Sequence, residues 1–151
     1  MSDIRIYVGT PGNKYEIAHL EYLTYGKNGL SPNAFDNYIF NDSYLVYVAG
    51  INVNNIVGYI VVKKLKSAYL IKHLTVDAEY HNKKIGTMLI RKIKKCLNSE
   101  RPRIIMLVRD TNTVAHLFLK YNDFVAESVI KPNKYDKGER DLYRFTYEGK
   151  F

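Results

Sequence analysis

Apolar side chains recur at helical spacing early in the chain, switch to strand-like runs in the middle, and alternate between the two toward the end. Ile4, Tyr7 and Val8 predict a first strand, closed by Gly9-Thr10-Pro11-Gly12. Tyr15 to Tyr25 reads as a helix with Ile17, Leu20 and Leu23 on its inner face. Ser31 followed by Pro32 has the form of a helix cap with proline in the first turn, and predicts a second, short helix through Phe35, Tyr38 and Ile39. Two β-branched and aromatic runs follow, Ser43 to Ala49 and Ile56 to Leu65, with a hairpin connection expected over Gly50 to Asn55. Ala68 to Val76 is a third run. Lys84 to Leu97 is amphipathic, with Ile85, Leu89, Ile93 and either Cys96 or Leu97 on one face and Arg91, Lys92, Lys94 and Lys95 on the other. Ile104 to Val108 is continuously apolar, the pattern of a central strand covered on both faces. Thr111 to Tyr121 predicts a helix, and Phe124 to Lys131 and Asp141 to Tyr147 predict closing strands. A mixed α/β (α+β) sheet with helices on its faces, built as one domain over residues 1–151, is the layer scheme that covers all these runs.

Composition narrows the class. With 151 residues, 46% hydrophobic and 25% charged, the chain is long enough to bury a core and is not of disordered composition. No run of 18 apolar residues predicts a membrane span, and the first residues lack the apolar stretch of a signal peptide. The single cysteine, Cys96, excludes an internal disulfide and fits a reducing, cytoplasmic setting. The net charge of +8 favours an anionic partner, either nucleic acid or a phosphate-bearing cofactor, and basic residues concentrate between Lys83 and Lys95. No nucleic-acid motif accompanies the charge, so that partner is not expected. No histidine, cysteine and carboxylate cluster has metal-ligand spacing, so no metal is expected.

The informative stretch is Leu74-Thr75-Val76-Asp77-Ala78-Glu79-Tyr80-His81-Asn82-Lys83-Lys84-Ile85-Gly86-Thr87-Met88-Leu89. A strand here ends in a polar turn that feeds directly into a helix. The first amides of a helix lack intrahelical acceptors and carry the positive end of its dipole. With Gly86 admitting a close approach of the backbone and Lys83 and Lys84 alongside, the turn is a candidate diphosphate site.

This segment resembles motif A of the Gcn5-related N-acetyltransferases (GNAT superfamily), Arg/Gln-x-x-Gly-x-Gly/Ala, with His81 at the Arg/Gln place, Lys84 at the first glycine and Gly86 at the second. Leu107-Val108-Arg109-Asp110-Thr111-Asn112-Thr113-Val114-Ala115, followed by Phe118 and Phe124, resembles the family's motif B, with Asp123 where the family has glycine. The resemblance implies a mostly antiparallel, twisted sheet of about seven strands whose central strands splay. It also implies acetyl-CoA as acetyl donor, with Leu74, Thr75 and Val76 along the pantetheine arm. His81, Asn82, Lys83, Lys84, Ile85, Gly86 and Thr87 would lie at the diphosphate, and Asn112 near the pantetheine or thioester end. The expected reaction is direct transfer to a primary amine, on a protein N-terminus, a lysine or a small molecule. The tail from Tyr135 to Asp141 faintly resembles the ribosomal-protein alanine N-acetyltransferases. Substrate choice is expected from the loop at Tyr25 to Pro32 and a hairpin from Pro132 to Asp141, and the oligomeric state is expected to be monomer or homodimer.

The resemblance breaks at the acid and base. The family's tyrosine in the last helix falls on Leu119, and the two strand positions that often hold a base fall on Leu70 and Leu107. Proximity alone, or substitutes among His73, His116, Tyr121, Tyr135 and Tyr143, are left to carry the chemistry. A non-catalytic acyl-CoA-binding or interaction module on the same fold is the competing reading. The ordinary readings of these residues are a packed His73, a surface or lining His116, a turn-forming His81, a core or rim Tyr121, and a Cys96 that packs as an apolar side chain.

Overall fold

The computed structural model describes residues 3–130 and 142–151. The elements run β1 (Arg5–Val8), α1 (Lys14–Tyr25), α2 (Pro32–Ile39), β2 (Tyr44–Asn52), β3 (Asn55–Lys64), β4 (Ala68–Val76), α3 (Ile85–Lys94), β5 (Arg103–Arg109), α4 (Thr113–Tyr121), β6 (Val125–Ile130) and β7 (Leu142–Glu148). The seven strands form a sheet in the order β1-β2-β3-β4-β5-β7-β6. The β1–β2, β2–β3, β5–β7 and β6–β7 pairs are antiparallel and the β4–β5 pair is parallel. The sheet is therefore mixed and mostly antiparallel, as expected. The chain divides into two compact units, one of residues 1–64 and 72–96 and a second of residues 65–71 and 97–151.

In the first unit, local chemistry sets the helix boundaries. The Ser31 hydroxyl caps α2 by accepting from the Ala34 amide at 3.2 Å, with Pro32 in the first turn. Gly26, at φ 61°, closes α1 in a conformation open to glycine. The α1 and α2 helices cover one face of the strands, where Ile17, Leu20, Phe35, Val46, Val48, Tyr59 and Val61 form the core. Helix α3 lies on the opposite face. Gly58, one residue from Tyr59 and thus on the other side of β3, approaches α3 so closely that a Cβ there would sit 3.2 Å from the Ile85 side chain. Ile85, Leu89, Ile90 and Ile93 are fully buried on that side.

Several sequence expectations need correcting. Leu23 is 65% exposed and Glu21 is buried in its stead. At about 100° per residue, Ile17, Leu20 and Glu21 span one narrow face and Leu23 falls well outside it. The hairpin loop is shorter than Gly50 to Asn55, because Asn52 pairs with Asn55 and only Val53 and Asn54 remain between the strands. Helix α3 ends at Lys94, so Cys96 lies beyond it and is only half-buried, whereas Leu97 is buried.

In the second unit, β5 pairs with the start of β4 from Ala68↔Arg103 to Leu70↔Ile105 and with β7 along its whole length. Leu119, Phe124, Ile104 and Phe145 are its most buried apolar side chains. The double covering expected for Ile104 to Val108 holds for most of the run but fails at Leu107, which is 42% exposed. Arg109, on the same side of the strand, is exposed too, so the end of β5 is covered on one face only. The expected Pro132 to Asp141 hairpin and Tyr135 lie outside the described residues.

Candidate functional site

After β4 the chain turns under tight backbone control. The Asp77 amide donates to the Val57 carbonyl and the Tyr80 amide to the Asp77 carbonyl, each at 2.8 Å. The Asp77 carboxylate accepts from the Glu79 amide at 3.0 Å. A 3-10 turn over Ala78–Lys83 follows, then Lys84 at φ 61° and ψ 25°, and only then α3. The stretch is thus not a plain helix. The left-handed residue breaks the path of the chain so that α3 starts afresh at Ile85, with the leading amides that every helix start leaves without an intrahelical acceptor. Lys84 makes no side-chain cap, its side chain is exposed, and no acid stands in the first turn of α3. The positive helix end therefore has a cation beside it and no carboxylate in its own first turn to offset it, which suits an anion.

The other residues expected at this site have divided roles. The His81 Nε2 lies 2.9 Å from the Val76 carbonyl, which can only accept, so that nitrogen carries the proton and the ring staples the turn to the end of β4. Leu74 and Val76 are half-buried. Thr75, expected along the pantetheine arm, has a buried side chain whose hydroxyl donates to Glu21 at 2.9 Å, so only its backbone is left for such a role. Two cavities of the first unit, about 220 Å³ beside Tyr7, Thr10, Val48 and Asn54 and about 120 Å³ beside Gly9, Tyr38, Tyr44 and Tyr47, are lined by no residue of the turn.

A polar cluster lies inside the first unit. One oxygen of the buried Glu21 accepts from both the Tyr59 and Thr75 hydroxyls, and the other accepts from the Leu30 amide at 3.2 Å. Burial, then the bond to Glu21, pushes the Tyr59 phenol far above its ordinary value. His73 stacks on Tyr59 with ring centroids 6.4 Å apart, and its Nε2 meets the Tyr38 hydroxyl at 3.2 Å. Burial holds the His73 imidazole below its usual value, with Glu21 pulling it up and Lys72 adding to the fall. Tyr38, beside Tyr44, is raised by burial first and by that neighbour second. Glu21, Tyr38 and Tyr59 were not singled out from sequence. The available signal was Glu21, a carboxylate at i+4 from Ile17 and i+1 from Leu20, on the inner face of α1.

In the second unit, the Asn112 side-chain oxygen caps α4 by accepting from the Ala115 amide at 3.2 Å. His116 gives its Nε2 to the Arg109 carbonyl at 2.9 Å and sets its ring edge-on to Tyr143 and Phe145. Leu119 is fully buried and Tyr121 is 68% exposed, because two residues on, about 200° around the helix, Tyr121 faces away from the position of Leu119. Asp123, where the resembling motif has glycine, stands at φ 71°. Among the described residues, no group of three metal-ligating side chains is present, and no helix is long and apolar enough to cross a membrane.

A family model described as the acetyltransferase (GNAT) domain matches residues 42–126, more than half of the chain and the whole span from β2 to the start of β6. The chain belongs to the GNAT acetyltransferase family. No curated protein matches this GNAT chain by sequence. Its fold is shared with solved structures. NAA60 of Arabidopsis thaliana in complex with acetyl-CoA superposes with a TM-score of 0.81 at 15% identity, over 97% of this chain and 99% of that one. The ribosomal-protein-S18-alanine N-acetyltransferase of Escherichia coli gives 0.80 at 14% identity, over 99% and 96%. A variant of the spermidine N-acetyltransferase SpeG of Vibrio cholerae gives 0.76 at 15% identity, over 98% and 95%. At such identities the likeness is one of fold.

Proposed function

We propose that this GNAT protein transfers the acetyl group of acetyl-CoA directly to a primary amine on a protein N-terminus, a lysine or a small molecule. The observation that carries the reading is the turn between Val76 and α3, where left-handed Lys84 restarts the chain into a helix end with a cation beside it and no acid in its first turn. Backbone amides from Ile85 onward and the Lys84 ammonium would hold the diphosphate, and the backbone of Leu74, Thr75 and Val76 would flank the pantetheine arm. His81 keeps the turn in shape. Asn112 spends its side-chain oxygen on the α4 cap, so its amide nitrogen is the atom that can donate to a ligand. Bound acetyl-CoA supplies an activated acetyl thioester. The chain must supply a place where the ammonium of the acceptor becomes a neutral amine. The related folds act, by their names, on a ribosomal-protein alanine and on spermidine, so the fold alone does not narrow the amine.

Thiol release from acetyl-CoA is the test, measured with a panel of N-terminal peptides, lysine peptides and polyamines. Gly86→Val, which puts a β-branched side chain at the diphosphate turn, is expected to abolish acetyl-CoA binding while the far-UV spectrum stays that of the native protein. Unchanged affinity would remove the site. A second reading, an acyl-CoA-binding module without turnover, is favoured by one observation: the acid position of the family is Leu119, fully buried in the apolar interior. Thermal protection by acetyl-CoA without thiol release from any amine selects it.

A further inference from the structure

The geometry points to Tyr38 and His73 as a proton relay that takes the proton of the acceptor ammonium, an inference that rests on the transferase reading above. Of the described histidines, His81 and His116 each commit Nε2 to a backbone carbonyl. His73 instead turns Nε2 to a phenol, the Tyr38 hydroxyl, at 3.2 Å. The two rings meet edge-on at 5.4 Å, and each keeps part of its surface exposed, unlike Tyr59 and Glu21 behind them. The pair is also placed by the strand that leads to the cofactor turn. Walking back from the turn along β4 passes Val76, Thr75 and Leu74, the residues assigned to the arm, and the next is His73.

The groups around the pair favour an uncharged imidazole facing an intact phenol. Tyr59 of β3 stacks on the ring, Tyr44 of β2 lies edge-on to Tyr38 at 4.8 Å, Glu21 of α1 stands behind Tyr59, and Lys72 is the neighbouring charge on β4. With Nε2 unprotonated, the Tyr38 hydroxyl donates to it. The acceptor N–H bond then breaks as its proton goes to the Tyr38 oxygen, while the phenol proton passes to Nε2 and leaves an imidazolium. The electron pair left on nitrogen forms the N–C bond and makes that nitrogen cationic. The thioester C–S bond breaks, and the sulfur leaves as thiolate, which takes up through water the second proton released by the nitrogen, leaving a neutral amide and the thiol. His73 then returns its proton to solvent through the same hydroxyl.

The test combines Tyr38→Phe, His73→Gln and the double variant with ring-nitrogen NMR of the free protein. In the wild type, His73 Nε2 is expected to be the unprotonated, accepting nitrogen at neutral pH, and Tyr38→Phe should shift its resonance. Each single variant should lower kcat/KM for the amine by at least about 10²-fold and remove the acidic limb of its pH profile. The double variant should lose no more than either single one, and acetyl-CoA affinity should not change. A protonated Nε2 at neutral pH, a single variant at wild-type rate, or additive losses would overturn the relay and leave the transferase reading standing. A wild type that binds acetyl-CoA but releases no thiol with any amine would overturn both.

Discussion

Lys84→Gly should stabilise the protein and weaken its grip on acetyl-CoA at the same time. Lys84 sits at φ 61°, where a side chain costs roughly 1–2 kcal/mol that glycine avoids. Against this, glycine frees the unfolded chain by about 0.4–1 kcal/mol. Removing a cation from the positive end of α3 adds about 0.3–1 kcal/mol of stability. The sum is a gain of about 1.5 kcal/mol, which for a chain of 151 residues raises Tm by about 3–6 °C. The exposed ammonium contributes up to about 1 kcal/mol to holding a phosphate, so the dissociation constant for acetyl-CoA should rise by as much as about five-fold at low salt, with the difference fading as salt is added. Differential scanning calorimetry and isothermal titration calorimetry read the two effects. Lys84→Ala separates them, because it removes the charge and keeps the Cβ: binding should weaken equally while about half of the gain in Tm remains, the share that comes from removing the cation. A lower Tm for Lys84→Gly, or unaltered binding by both variants, would refute the argument.

The buried cluster and the remaining tyrosine give further tests. Tyr59→Phe removes only the hydroxyl that donates to Glu21 and keeps the ring against Phe35. It should cost about 1–3 kcal/mol in urea unfolding followed by far-UV circular dichroism, and a change too small to measure would show that the bond does not stabilise the fold. Because burial lowers the His73 pKa below its unfolded value of about 6.5, the unfolded chain binds the extra proton first. The stability from a neutral His73 is complete above about 6.5 and falls as pH drops toward the folded value. His73→Gln should flatten that slope, and a slope equal to the wild type would show that other groups set it. Tyr121→Phe should leave turnover unaltered, since that hydroxyl is on an exposed face away from Leu119; a reduced rate would return Tyr121 to the chemistry.

Much of the fold was legible because period and punctuation agreed. Ser31-Pro32 starts α2 where a cap and a proline should, and the runs at Ala68 to Val76 and Ile104 to Val108 fall on β4 and β5. What misled was burial read from residue type alone. Leu23 and Leu107 are apolar and exposed, because helix geometry carries one away from the strands and the other stands at a strand end covered on one face. Glu21 is charged and buried, because Tyr59, Thr75 and the Leu30 amide satisfy its oxygens. No periodicity anticipates those partners, since they come from β3, β4 and a loop.

The departures from the family pattern are where sequence and structure explain each other. Two motif positions written as glycine hold Lys84 and Asp123 in this chain, and these are the two non-glycine residues with positive φ among those described. At both places the backbone takes the left-handed turn for which glycine is the easy residue, although neither residue is glycine here. A turn indifferent to its shape would take ordinary dihedrals at a residue that is not glycine. That Lys84 stays left-handed means the surrounding contacts, the Asp77 turn on one side and the buried Ile85, Leu89 and Ile93 on the other, hold it there. The turn before α3 is thus specified by its neighbours more than by its own glycines, which is why the motif matches poorly by letter while the fold around it matches well.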